Sequence, residues 1–452
     1  MGLLQATATN VIGMVGVGPF LTIPFMVSAM NGPHLVYAWA FGAVLALCDG
    51  LVYAELSAAL PGSGGPYVYL REAYRPFGLG RLLSFVFIFQ VVLVAPLSIA
   101  GGAVGFADYL GFYWTTMDTT AHNLIAAAVC AAVTALLYRQ IESVGRLAVI
   151  MLAVVLLTVG WVIVAGLIHF SWAQAFDFPP AAYRLDASLV RAIGAGGLLA
   201  MYNYGGYTNV CYLGDEIRRP ERTIPRAIVL SIVVVVVLYV LMSTVMLGVI
   251  PWREAQQSHT IASLFIGRTV TDPGRSHIAG LAMNGLILFV TASSLYAVIL
   301  GYSRIPFAAA RDGQFFRVFG RVHPTKHFPY VSLLTLGGLA IPFCFFSLGQ
   351  LVSWLILVQI LSQFIWVCGG VILIRRYRRD IEQPFRMWLY PAPALVSLVL
   401  WIYIFATGPT GGIVFSVAFF IAALAVYPLL RTRVPRPLER EGGPVRPALP
   451  QK

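Results

Sequence analysis

Gly13-Met14-Val15-Gly16-Val17-Gly18-Pro19 falls inside one apolar run, and Asn203-Tyr204-Gly205-Gly206-Tyr207-Thr208-Asn209 falls inside another, 190 residues further on. Glycine and proline unwind a helix and free its backbone groups. In lipid, freed groups are tolerated only inside packed protein or beside a cavity. Matching interruptions in two halves of a chain point to an inverted repeat with a binding site near the bilayer midplane. The N-terminus of a half-helix presents bare N–H groups and a positive dipole end, suited to a carboxylate. Its C-terminus presents carbonyls, suited to an ammonium or a cation. Together the two breaks match both ends of a zwitterion. The alternative is that these glycines only let helices pack closely.

The rest of the chain supports a membrane setting. Of 452 residues, 59% are hydrophobic and 11% charged, whereas a soluble domain carries about 25% charge. Single soluble cores stop growing near ~250–300 residues, so lipid must solvate much of this surface. A helix needs about 20 apolar residues to cross a bilayer. Twelve runs meet or approach that length, at 11–30, 35–59, 79–107, 123–138, 145–168, 189–213, 224–250, 278–302, 329–348, 351–374, 391–407 and 411–430. They are called spans 1 to 12, and the expected fold is all-α with twelve transmembrane helices.

With the N-terminus inside, 25 of the 30 Lys and Arg residues fall in cytoplasmic segments and 5 outside. That bias fixes both termini in the cytoplasm of a cell whose inner membrane holds the chain. The net charge of +12 therefore reflects loops rather than a nucleic-acid surface. No basic n-region or cleavage site marks a signal peptide. Residues 1–434 read as one transport domain. Residues 435–452, rich in proline, glycine and charge, read as a disordered cytoplasmic tail.

Other chemistries lack their residues. The five cysteines sit in or beside apolar runs with no CxxC spacing, which argues against disulfides and zinc. The seven histidines fall in loops or at span ends, so nothing resembles an embedded enzyme or a channel filter.

Three stretches carry a family resemblance. They are Ala54-Glu55-Leu56 through Pro61-Gly62-Ser63-Gly64-Gly65-Pro66-Tyr67; Gly214-Asp215-Glu216 with Pro220-Glu221-Arg222-Thr223-Ile224-Pro225-Arg226; and Arg304-Ile305-Pro306-Phe307 through Arg311-Asp312-Gly313. In this order and spacing they resemble the amino acid–polyamine–organocation (APC) superfamily of permeases. The resemblance implies a five-plus-five inverted repeat of the leucine-transporter kind (repeats at about 8–168 and 189–374) with two extra helices at about 391–430. It implies alternating access by a secondary transporter, without a cofactor. It places the substrate's carboxylate and amino groups on backbone at Val15, Gly16, Val17 and Gly18 and at Tyr202, Asn203, Tyr204 and Gly205, with Tyr202 as the aromatic that closes over the substrate.

The chain also departs from that pattern. Relatives usually carry Gly-Ser-Gly-Ile-Phe where this chain has Gly16-Val17-Gly18-Pro19-Phe20, a form nearer to plant polyamine-uptake carriers. Those carriers also share an acid at the position of Asp49, but follow the first break with acidic residues where this chain has Leu21-Thr22-Ile23-Pro24. Thr208 stands where many relatives have Glu.

A desolvated polyamine needs buried acids as partners, and the predicted site offers Tyr, Asn, Thr and Gly. Span 8 adds Thr291, Ser293 and Ser294, and span 10 adds Gln359 and Gln363. This set suits a neutral amino acid; a cationic amino acid or polyamine is the alternative. Asp49, the acid deepest in a span, reads as a proton-linked or gating residue, or as a structural acid bonded to a neighbouring helix. Ser293 and Ser294 could supply hydroxyls to sodium, or bond back to their own helix. Sodium coupling, proton coupling and pure exchange stay open. Glu55, Glu216, Arg304 and Asp312, at cytoplasmic span ends, are candidates for an inner ionic gate.

Overall fold

The computed structural model describes residues 1–431 except 17, 63, 140–143, 180–185 and 327. Among the described residues it is built of helices and turns. In chain order the helices are α1 (Leu3–Met14), α2 (Gly18–Met30), α3 (Leu35–Ala59), α4 (Pro66–Ala73), α5 (Gly80–Leu110), α6 (Thr119–Arg139), α7 (Val144–Ile168), α8 (Trp172–Ala175) and α9 (Ala187–Tyr204). They continue as α10 (Pro220–Leu247), α11 (Trp252–Ala255), α12 (Ile261–Arg268), α13 (Pro273–Arg311), α14 (Tyr330–Phe343), α15 (Leu348–Gln359), α16 (Ile365–Tyr377), α17 (Ala392–Thr407) and α18 (Thr410–Arg431).

Each of the twelve apolar runs lies on one of these helices or on a broken pair. By length and composition α3, α5, α6, α10, α13 and α18 can each cross a membrane, as can the continuous Leu348–Tyr377 that comprises α15 and α16, and α1 with α2 adds a bent span. Span 2 starts and stops where its hydropathy does. Span 4, short as a run, is a helix of 21 residues. Span 1 starts at Leu3, eight residues before the apolar run, because Gln5, Thr7, Thr9 and Asn10 dilute the hydropathy of a turn that is nonetheless helical. Span 6 does not run through to 213. Its α-helix stops at Tyr204 and resumes as 3-10 turns over Asn209–Glu216.

Local chemistry sets several helix starts. The Asp186 carboxylate accepts the N–H groups of Ser188 and Leu189 and opens α9. Asp272 caps α13 through the Arg275 N–H, with Pro273 in the first turn where no donor is needed. Ser347 and Gln350 form a reciprocal capping box that opens α15 after the bend from α14. Small residues then allow close packing. A Cβ on Gly42 of α3 would fall 2.7 Å from that of Ala200 of α9. α3 packs on α9, α10 and α17, and α5 packs on α13, α14 and α15. The two broken helices lie within this arrangement, α1 against α10 and α2 against α9.

Span 10 carries one irregularity of its own. Ile360–Phe364 forms a π turn between α15 and α16. It turns Gln363 inward, where Nε2 donates to the Tyr53 hydroxyl at 2.7 Å and Oε1 accepts from Gln90 Nε2 at 2.6 Å. The Phe364 ring stacks on Trp401 at 4.1 Å. Such turns recur at functional positions in helices.

Candidate functional site: two apposed helix breaks

α1 ends at Met14, Val15 turns extended (φ −80°, ψ 96°), and α2 starts at Gly18. The axes of α1 and α2 differ by 51°. Val17 lies outside the described residues. In span 6, Gly205 leaves the helix (φ −54°, ψ 133°) and Gly206 adopts φ 121°, a region that favours glycine.

The breaks press on each other. A Cβ on Gly206 would sit 2.8 Å from both the carbonyl carbon and the oxygen of Gly13. A Cβ on Gly13 would sit 2.1 Å from Asn209 Nδ2. The two motifs recognised separately in the sequence therefore form one structural centre.

Side chains from outside the breaks satisfy part of what unwinding frees. Asn10, buried on α1, donates from Nδ2 to the Tyr207 carbonyl at 2.7 Å and accepts the Val210 N–H on Oδ1 at 2.9 Å. Its Nδ2 also lies 3.3 Å from Ser231 Oγ on α10. The Tyr239 hydroxyl, from α10, donates to the Met14 carbonyl at 2.6 Å. Neither residue belongs to a motif visible in the sequence. A polar residue just ahead of the first apolar run was the available signal for Asn10, and nothing local distinguishes Tyr239.

The proposed binding positions gather around this centre. A Cβ on Gly16 would be 2.9 Å from Ser294 Oγ of α13, and one on Gly18 would be 2.5 Å from Asn203 Oδ1. Asn203 donates from Nδ2 to Thr22 Oγ1 and to the Leu199 carbonyl, both at 2.7 Å. Its buried Oδ1 has no hydrogen-bond partner among the described residues. Tyr202 is half-buried, and its hydroxyl lies 3.7 Å from the Cβ position of Gly101 on α5. Val15 is buried, Gly16 and Gly18 are half-buried, and Gly205 is exposed, so peptide groups of both breaks border open space. Tyr204 points away: its ring packs on Trp39 and Tyr239 at 5.5 and 5.9 Å, leaving only its backbone for the site.

The coupling candidates fare differently. The Ser293 hydroxyl donates to the Phe289 carbonyl at 2.7 Å, back along its own helix. Ser294, one position on and about 100° around the helix, faces Gly16, so the pair does not converge on one point. Asp49 is wholly buried. Its Oδ2 accepts from the Tyr207 hydroxyl at 2.5 Å. Its Oδ1 accepts from Ser397 Oγ and Trp401 Nε1, both at 3.0 Å, and from Cys368 Sγ at 3.6 Å. Every partner is a donor, as a carboxylate requires. Asp49 thus ties the second break to α16 and α17.

At the end of the bundle the three family stretches meet. A Cβ on Gly214 would be 2.6 Å from both the N and the O of Gly62, and the Tyr67 hydroxyl donates to the Asp312 carboxylate. Glu55 does not face Arg304. It takes a two-pronged contact from Arg375 (Nε 2.5 Å, Nη2 2.6 Å) and the Met387 N–H at 2.8 Å. The Arg375 guanidinium also lies 3.7 Å over the Tyr390 ring. In the sequence nothing sets Arg375 apart from the neighbouring Arg376, Arg378 and Arg379. The side chain of Glu216 lies outside the described residues. Arg304 is exposed and makes no ion pair among the described residues. Ser294, Ala297, Gly301 and Arg304 recur at three- and four-residue steps, one face of α13. The last three are exposed.

An all-α, multi-pass membrane protein with two interrupted helices apposed around neutral polar groups is a small-molecule permease rather than an enzyme. The chain belongs to the amino acid permease family, whose model matches residues 1–430. The branched-chain amino acid permease BcaP of Bacillus subtilis is 26% identical over 410 residues, 85% of this chain and 83% of its own. An uncharacterized transporter of Mycobacterium tuberculosis is 31% identical over 339 residues, 75% of this chain and 71% of its own. The b(0,+)-type amino acid transporter 1 of the mouse is 26% identical over 440 residues, 94% of this chain and 87% of its own.

Proposed function

We propose that the protein carries neutral amino acids across the inner membrane by alternating access, with both termini in the cytoplasm and the two five-span repeats enclosing the site. One observation carries this reading: the side chains that lie against the backbone of the apposed breaks include Asn10, Asn203, Tyr202, Ser294 and Tyr239, all uncharged, and the carboxylate of Asp49 reaches the second break only through the Tyr207 hydroxyl. A neutral site with free peptide groups at both helix ends suits a zwitterion with an apolar or small side chain. The N–H groups of Gly18, Phe20 and Leu21, in the first turn of α2, would take the carboxylate. The carbonyls that end α9, from Tyr202 to Gly205, would take the ammonium. Asp49 does not compete for it, because four donors occupy its oxygens. The branched-chain substrate named for the Bacillus relative agrees with this choice.

The exposed face of α13 from Ser294 to Arg304 is the path from the site to the cytoplasm, and Arg304 at its mouth attracts the leaving carboxylate. Glu55 and Arg375 hold α3 to the end of α16 and set how far that end can move. Asp49 transmits the state of the second break to α16 and α17. Purified protein in liposomes should accumulate labelled leucine or alanine and leave putrescine and arginine outside. Transport of putrescine without any amino acid would overturn the neutral-substrate reading. Repeating the uptake with and without a sodium gradient, and with and without a proton gradient, identifies the coupling ion.

A further inference from the structure

The loop that joins α16 to α17 encloses a cleft of about 380 Å³ lined by Arg375, Arg379, Arg386, Ile381, Glu382 and Gln383. Three guanidiniums face it against one carboxylate. Arg375 is engaged with Glu55, and neighbouring Arg378 with Glu72 and Asp380. Arg379 and Arg386 are exposed and form no ion pair among the described residues. Beside the cleft the chain presents Trp388 and Leu389, 63% and 84% exposed, and Tyr377, 49% exposed. Large apolar side chains left bare next to unpaired arginines, at the end of membrane helices, form a surface with two chemistries. A phosphate fits the arginine forks, and glycerol and acyl carbons fit the apolar shoulder. A soluble anion would use only the first.

We propose that this cleft binds the phosphodiester headgroup of an anionic phospholipid from the cytoplasmic leaflet. The site has a built-in consequence. Arg375 lines the cleft and also holds the buried Glu55, so a phosphate in the cleft draws on the guanidinium that ties α3 to α16. Anionic lipid therefore adjusts the fastening of the second span, and with it the rate of opening at the cytoplasmic end. Positive charge on cytoplasmic loops is general, so the test must separate a formed cleft from bulk charge.

Three full-length proteins serve: wild type, R379Q/R386Q, and R317Q/R321Q. The last loses the same charge from exposed positions after α13. Native mass spectrometry after extraction from phosphatidylglycerol-containing membranes counts retained lipid. Thermal unfolding in detergent with dioctanoyl-phosphatidylglycerol, or with inorganic phosphate, reports binding without reference to transport. The expected result is a loss of affinity for the short-chain lipid of roughly tenfold or more in R379Q/R386Q. R317Q/R321Q should match wild type, and inorganic phosphate should stabilise less than the lipid or not at all. Equal loss in both double variants, or no loss in either, overturns the site. Stabilisation of wild type by inorganic phosphate to the same extent as by the lipid overturns the assignment to a lipid. Because these readouts need no substrate, they stand or fall separately from the transport assay.

Discussion

Between Met14 and Gly18 the first break occupies three residues; between Tyr204 and Asn209 the second occupies four. Among the described residues the first is served by one side-chain bond to its helix end, Tyr239 to the Met14 carbonyl. The second is served by Asn10, which reaches a carbonyl and an N–H with one amide. Its Tyr207 is also anchored by Asp49. The first break is thus held at one point and the second at several. Each holder comes from the other half of the chain: Tyr239 from the second half, Asn10 from the first. A residue that keeps one break open therefore also records where the other half lies, which is what a rocking mechanism around a fixed site needs.

The contrast can be broken at the glycines. Gly206→Ala should have the largest effect, since its Cβ meets the Gly13 peptide itself and its φ of 121° excludes side chains. Strain of about 1–3 kcal/mol from the backbone alone adds to a clash with atoms that cannot rotate away. Uptake should fall to background, and the melting temperature should drop. Asn10→Leu comes next. It leaves the Tyr207 carbonyl and the Val210 N–H unpaired, at about 1–3 kcal/mol each. Substrate affinity and thermal stability should both fall, whereas Asn10→Gln or Asn10→Asp should do so unequally, because only the amide offers a donor and an acceptor together.

Gly13→Ala should be milder than Gly206→Ala, although the two glycines touch. Its Cβ meets the end of the Asn209 side chain, which can turn aside. Adding Asn209→Ala should recover uptake, and failure of that rescue would mean the backbone, not the amide, sets the limit. Tyr239→Phe should be mildest, about 1 kcal/mol for one lost hydrogen bond, read as a small change in Km with the fold intact. If Tyr239→Phe proved worse than Asn10→Leu, the ranking of the two breaks would be reversed.

Much of this was legible in the sequence. Glycine crowds both breaks, with proline at the first and asparagine at the second, and an apolar run of about 20 residues announces a span wherever it occurs. What was not legible is long-range or diluted. Asn10 meets residues nearly 200 positions away, and a single polar residue has no period to betray its face. α1 begins early because Asn10 points inward to partners across the bundle and Thr9 bonds back to the Gln5 carbonyl of its own helix, which hydropathy averaging cannot register. Glu55 was recognisable as a span-end acid, but its partner could not be chosen among many arginines without the path of the loop that brings Arg375 and the Met387 N–H together. Ser293 and Ser294 look equivalent in sequence and face different groups once wound on a helix.

The most direct test is a structure of the protein with leucine bound. The leucine carboxylate should lie within hydrogen-bonding distance of main-chain N–H groups at 16–21 and the ammonium on carbonyls at 202–205, with both helices interrupted as described. Leucine held by charged side chains elsewhere, or spans 1 and 6 continuous through the membrane with no solute between them, would contradict this arrangement.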